Sequence, residues 1–289
     1  MERRQPLVKL VDIKKEFPGV KALKGVSLEI LPGEVHGLVG ENGAGKSTLI
    51  KIMMGAYTAT SGEIYIDGER QHIHNPQQAK ALGLGAVYQD VTLAPHLTVA
   101  ENFFLGCQPR KGGLVDWKTM YRSVQKTLDE LNIRVSAKAQ INELTIGQQE
   151  MVTIAKVVYQ NAKVIVFDEP TALLANEEVQ LLFNMIGQLR EKGYGIVYIS
   201  HRMEEIFELC DRVTVIKDGT YVDTVKTSDV YEDKLVQMMV GRDVEDLYNL
   251  QRPDMGECVL EVNGLTRKGS FENISFSVHR GEIFGMFGL

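Results

Sequence analysis

Residues 40–47 read Gly-Glu-Asn-Gly-Ala-Gly-Lys-Ser, followed by Thr48, a spacing of glycines, lysine and hydroxyls suited to gripping a chain of phosphates. Gly40, Gly43 and Gly45 let the backbone curl, so that N–H groups from Asn42 and Ala44 through Ser47 and Thr48 can converge on one anion. Lys46 is placed to reach the β and γ oxygens, and the Ser47 hydroxyl to ligate Mg²⁺. A second run, Lys163-Val-Ile-Val-Phe-Asp168-Glu169-Pro170, is an apolar strand ending in two carboxylates. Asp168 is suited to holding Mg²⁺ through water, and Glu169 to polarising or deprotonating a water that attacks the γ-phosphate. Gln89, just after the run Gly85 to Tyr88, can reach the same metal and water.

Such groups act only if strands and helices carry them to one place. The phosphate loop lies between a strand-like run, Glu34 to Val39, and a helix-like run, Thr48 to Met54, whose positive dipole end adds to the same spot. Further β-branched runs occur at Leu7 to Val11, Val26 to Ile30, Ile64 to Ile66, Gly85 to Tyr88, Val164 to Phe167, Ile196 to Ile199 and Val213 to Ile216. Helix-length amphipathic stretches separate several of them. The expected fold class is therefore α/β, a mostly parallel sheet wrapped by helices, with antiparallel strands near the start. From about Val91 to Gln160 no strand is expected, and a helical pattern runs from Trp117 to Leu131. This segment reads as a helical insertion on the α/β core. Thr98-Val-Ala-Glu101 within it matches a capping box, a helix-start signal without functional weight.

A chain of 289 residues suits one large domain plus extra, or two domains. Its net charge of −6, with no cluster of like charge, argues against a nucleic-acid partner, since phosphate neutralisation needs clustered Lys and Arg. The three cysteines, Cys107, Cys210 and Cys258, lie far apart and form no Cys-x2-Cys pair, which fits reduced thiols. The amino-terminal residues hold no apolar stretch of signal-peptide length, and no run reaches membrane-spanning length, so any membrane role is expected through partners.

The chain also repeats itself. Val262-Asn-Gly-Leu-Thr and Ile274 to Gly288 echo Val11-Asp-Ile and Val26 to Gly40, with Gly281 aligned on Gly33. The second copy stops where its phosphate loop would begin. The expected organisation is a first domain over 1–241, a linker over 242–256 marked by Pro253 and Gly256, and the truncated start of a second domain over 257–289.

In order along the chain, the Gly40–Ser47 loop, Gln89, Leu144-Thr-Ile-Gly-Gln148, Asp168-Glu169, Thr171-Ala-Leu-Leu-Ala175 and His201 resemble the ATP-binding cassette (ABC) ATPase family. The likeness covers residues 7–240. Cassettes of bacterial monosaccharide importers, galactose-type and ribose-type alike, are the most similar, through Phe17-Pro-Gly-Val-Lys-Ala-Leu23, Gly33-Glu-Val-His36, Tyr198-Ile-Ser-His-Arg-Met-Glu-Glu205 and Met239-Val-Gly-Arg242. Those importers fuse two cassettes in one polypeptide.

The resemblance implies a P-loop NTPase fold of ABC type and an ATP-hydrolysing subunit that powers sugar import, with ATP and Mg²⁺ bound. It implies that Phe17 stacks on adenine and that His201 contacts the γ-phosphate and orients water. Thr145, Gly147 and Gln148 would serve ATP held mainly by the second cassette, because two cassettes close head to tail. Implied partners are that second ABC domain, integral membrane permease subunits and, indirectly, a periplasmic or extracellular sugar-binding protein. The permease would dock in a groove near Gln89 to Asn102, and the location would be the cytoplasmic face of the membrane, as a peripheral protein.

Two motifs depart from the family. In the signature Leu-Ser-Gly-Gly-Gln, Thr145 replaces serine and keeps a hydroxyl, whereas Ile146 replaces the first glycine with bulk. After the carboxylates, Ala175 stands where the family often has aspartate. Two other functional classes compete: a soluble tandem ABC ATPase acting on ribosomes or nucleic acid, and a nucleotide-binding regulator without turnover. The short, non-basic linker disfavours the first. The joint presence of Lys46, Gln89, Asp168, Glu169 and His201 disfavours the second.

Overall fold

Each of the seven β-branched runs overlaps a strand in the computed structural model, which describes residues 5–88, 93–241 and 255–287. The chain divides into two compact units, Met1–Gly241 and Arg242–Leu289. Within the first, β1 (Val8–Phe17), β2 (Val20–Ile30), β4 (Ser61–Ile66) and β5 (Glu69–Gln71) form an antiparallel sheet in the order β2-β1-β4-β5. The larger sheet has six strands, ordered β12-β11-β3-β10-β9-β6. Its members are β3 (Val35–Val39), β6 (Leu84–Val87), β9 (Val164–Asp168), β10 (Gly195–Ile199), β11 (Arg212–Lys217) and β12 (Thr220–Lys226). All neighbouring pairs are parallel except β11 with β12.

The central strands β3 and β10 are buried along their whole length and β9 up to the half-buried Asp168, because both faces of the parallel sheet are covered. Their apolar runs lack alternation for that reason. Parallel pairing also sends the ends of β3, β6, β9, β10 and β11 to the same edge: Ile199 pairs with Asp168, and Val87 with Phe167. Ligands of open α/β sheets bind at that edge. The phosphate loop after β3, the carboxylates ending β9 and the histidine after β10 are brought together by topology alone.

The helices are α1 (Lys46–Met53), α2 (Pro76–Ala81), α3 (Val99–Phe103), α4 (Trp117–Glu130), α5 (Ile146–Tyr159), α6 (Asn176–Glu191), α7 (Met203–Leu209) and α8 (Glu232–Val240). The insertion carries α3, α4 and α5. Helix α4 buries Met120, Val124 and Leu128, one residue per turn on one face. The expectation of no strand there is corrected by a small hairpin, β7 (Arg110–Lys111) with β8 (Leu114–Val115), turned by Gly112 and Gly113. Strands of two residues leave too short an apolar pattern to read. Thr98 does close a capping box with Glu101.

Two apolar cores result. One lies between the insertion and the parallel sheet, and the other joins α1 and the antiparallel sheet to the opposite face. In the second unit, β13 (Cys258–Arg267) and β14 (Phe271–His279) form an antiparallel hairpin with Val259, Leu260 and Ile274 exposed. Among the described residues, no helix is long and apolar enough to cross a membrane.

Candidate functional site

Helix α1 begins on Gly45, whose backbone is left-handed (φ 106°, ψ 0°) and which supplies no side-chain cap. The first N–H groups of the helix are thus left for an incoming anion. Lys46 folds back over the loop and donates from Nζ to the carbonyls of Gly40 at 2.7 Å and Glu41 at 3.1 Å. A Cβ on Gly40 would overlap the Ile216 carbonyl, and one on Gly45 would lie 2.7 Å from Leu23 Cδ2 and 2.9 Å from the Ala22 carbonyl. Both glycines are required by crowding, and Gly45 by its φ as well. Gly45→Ala is expected to lower stability by about 1–3 kcal/mol, read as a reduced urea midpoint at unchanged slope.

The turn Asp218-Gly219 between β11 and β12 braces this loop. The Gly219 N–H donates to the Ala44 carbonyl at 3.0 Å, and its own carbonyl accepts from the Lys24 N–H at 2.7 Å. Together these segments enclose a cavity of about 410 Å³ lined by Asn42 to Thr48, Asp168 and Glu169. Asp-Gly marks a hairpin turn in the sequence, but nothing there tells that this turn supports the distant phosphate loop.

Asp168 ends β9 half-buried. Glu169 follows in the left-handed region (φ 51°), held by its N–H donating to the Ile199 carbonyl at 2.9 Å. Burial, and then the neighbouring Glu169 charge, raise the Asp168 pKa. Burial lowers that of Lys46, against the pull of Glu169 and Asp168. Each charge is under-solvated, so a polyphosphate with a divalent cation would relieve both. Among the described residues no group of three or more His, Cys, Asp or Glu side chains could hold a metal. One carboxylate with the Ser47 hydroxyl suits Mg²⁺, which takes its remaining ligands from phosphate and water.

His201 follows β10 with an exposed side chain, its Nδ1 3.5 Å from Glu169 Oε1. That separation is beyond a normal hydrogen bond, and such contacts commonly tighten on substrate binding. Gln89 lies outside the described residues, as does Val91 of the expected docking groove. Leu93 of that groove packs in the core. Phe17, at the end of β1, meets Tyr57 edge-on (5.4 Å, 76°) under Lys15 Nζ and is not among the residues lining the cavity.

Thr145, Gly147 and Gln148 stand apart from that cavity, at the start of α5. Thr145 caps the helix: its Oγ1 accepts from the Gln148 N–H at 3.2 Å, while Gln148 Oε1 accepts from the Thr145 N–H at 3.0 Å. Ile146 is the first helical residue and half exposed, so its bulk leaves the cap intact. The Thr145 hydroxyl donates to Glu178 Oε1 at 3.2 Å, and Glu178 Oε2 accepts from the Ala175 N–H at 3.1 Å. A Cβ on Gly147 would overlap that carboxylate. The one local signal for Glu178 is an acidic residue three after a helix start that lacks a capping hydroxyl.

The sequence profile of the ABC transporter family matches residues 23–172. The chain belongs to the ABC transporter family. It is 50% identical over all its 289 residues to "Ribose import ATP-binding protein RbsA 1" of Streptomyces avermitilis, covering 55% of that protein. It is 47% identical over 285 residues to "Ribose import ATP-binding protein RbsA 2" of Escherichia coli O157:H7, covering 56%. The chain thus spans little more than half the length of these relatives. Among solved structures, an ATP-binding cassette of an ABC transporter in its ADP conformation matches with TM-score 0.70 and 26% identity, over 82% of this chain and 99% of that one. The α/β cassette fold expected from the sequence is therefore that of ABC ATPases.

Proposed function

We propose that this chain binds and hydrolyses Mg-ATP, and that the hydrolysis powers import of a monosaccharide, ribose by likeness to its relatives, through membrane-embedded permease subunits. One observation carries the chemistry: Lys46, Asp168, Glu169 and His201 stand together at the carboxyl edge of one parallel sheet, around an uncapped helix start. Asn42 to Thr48 would hold the phosphates through loop N–H groups and Lys46, with Phe17 beside the adenine. Ser47, Asp168 and Gln89 would hold Mg²⁺, which supplies neutralisation of the phosphate charge. Glu169 would accept a proton from the attacking water while His201 orients it, so that positioning and electrostatics do the catalysis.

The second unit supports the expected tandem organisation. Its hairpin repeats the pairing of β1 and β2 and leaves apolar side chains exposed, and an isolated hairpin is marginal on its own. We read residues 257–289 as the start of a second cassette after a linker, with Thr145, Gly147 and Gln148 serving ATP across the paired domains. The protein would lie at the cytoplasmic face of the membrane and work with an extracytoplasmic sugar-binding protein. The alternative, a soluble ATPase acting on ribosomes or nucleic acid, gains no support from these relatives.

The test is the rate of Mg-ATP hydrolysis as the concentration of this chain is raised. Specific activity should climb with concentration, because pairing brings the signature of one copy to the phosphate loop of another. Absence of both ATP binding and phosphate release, even with permease subunits added, would overturn the proposal.

A further inference from the structure

His201 is exposed, and its nearest carboxylate lies beyond normal hydrogen-bond length, so its aim depends on the backbone either side of it. That backbone is held by one buried side chain. Glu205 of α7 is 3% exposed. Its Oε2 accepts from Ser200 Oγ at 2.7 Å and Tyr198 Oη at 2.9 Å, while its Oε1 accepts from Thr171 Oγ1 at 2.8 Å and lies 3.1 Å from Arg202 Nη1. Ser200 Oγ in turn accepts from the Arg202 N–H at 3.0 Å. Ser200 and Arg202 flank His201, and Thr171 comes two residues after Glu169. A carboxylate this buried would be costly unless its lone pairs were filled, and four side-chain donors fill them.

We propose that Glu205 is a positioning residue: it fixes His201 relative to Glu169 and ties that histidine to the loop beginning at Thr171. The proposal rests on the function proposed above. Glu205 is not among the residues lining the phosphate cavity, so it acts through others. It also answers a gap in the sequence. Ala175 lacks the carboxylate that the family often places at the far end of the Thr171 loop, whereas the Thr171 hydroxyl joins the near end to Glu205, the carboxylate that also holds Ser200 beside the histidine.

The test compares Glu205→Gln and Thr171→Val with the wild-type chain. Glutamine keeps the shape but offers one acceptor and an amide that donates, so the Arg202 pairing is lost. Glu205→Gln should lower kcat about tenfold with the KM for ATP within about twofold, and Thr171→Val should lower kcat about threefold. The ring signal of His201 in nucleotide-free NMR spectra, assigned by His201→Ala, should shift and broaden in both variants. A His201 signal unmoved in both variants would overturn the proposal, as would losses of ATP binding and turnover in proportion. A wild-type chain without turnover would remove the ATPase function instead, and the histidine signal would still decide the positioning.

Discussion

Glu169→Gln lowers steady-state Mg-ATP hydrolysis at least ~100-fold and leaves ATP binding within about twofold, the expected result if Glu169 is the general base. Glutamine fits the same place. It tolerates the left-handed backbone as glutamate does and keeps the N–H bond to the Ile199 carbonyl, so the end of β9 is unchanged. It cannot accept the proton. Removing the negative charge also relieves Asp168, whose pKa is raised in part by Glu169, so metal binding should not weaken. Single-turnover phosphate release, set beside binding of a fluorescent ATP analogue, separates the two effects. Undiminished turnover would remove Glu169 from the chemistry and leave the base to be sought elsewhere.

Glu150→Gln is expected to stabilise the fold at pH 8 by up to about 3 kcal/mol and to change little near pH 4.5. Glu150 lies on α5, buried, and its Oε1 has no hydrogen-bond partner among the described residues. Burial pushes its pKa from 4.5 up to about 7. Well below pH 4.5, folded and unfolded chains are both largely protonated at this site, and the carboxyl costs little. Between pH 4.5 and about 7 the unfolded chain loses the proton while the folded chain keeps it, so stability falls as pH rises. Above about 7 the penalty is complete. Glutamine carries a similar shape with no charge to desolvate, so the gap between the two proteins should open with pH over that window. Urea midpoints at pH 5 and pH 8 measure it. Equal stabilities at pH 8 would show that the carboxylate keeps its charge at no cost.

The position of Glu169 was legible because Val-Ile-Val-Phe-Asp-Glu puts a carboxylate just past the end of an apolar strand, a pattern contained in adjacent residues. Glu150 was not, since a glutamate in a helix starting Ile-Gly-Gln-Gln reads as one more polar position. Its burial is set by what packs over that turn of α5.

The same division runs through the rest of the site. The strand-forming runs, the phosphate loop, the paired carboxylates, the histidine after β10 and the repeated segment near the end follow from short-range patterns: apolar period, glycine placement and charge at strand ends. These were present in the sequence by itself. Tertiary structure decided the contacts between distant segments: Gly219 bracing Ala44, Glu178 holding the Thr145 hydroxyl, and Glu205 gathering Thr171, Tyr198, Ser200 and Arg202. A polar group bonds whatever partner the fold brings within reach, and one as buried as the Glu205 carboxylate must, so its partners are neighbours in space rather than in sequence.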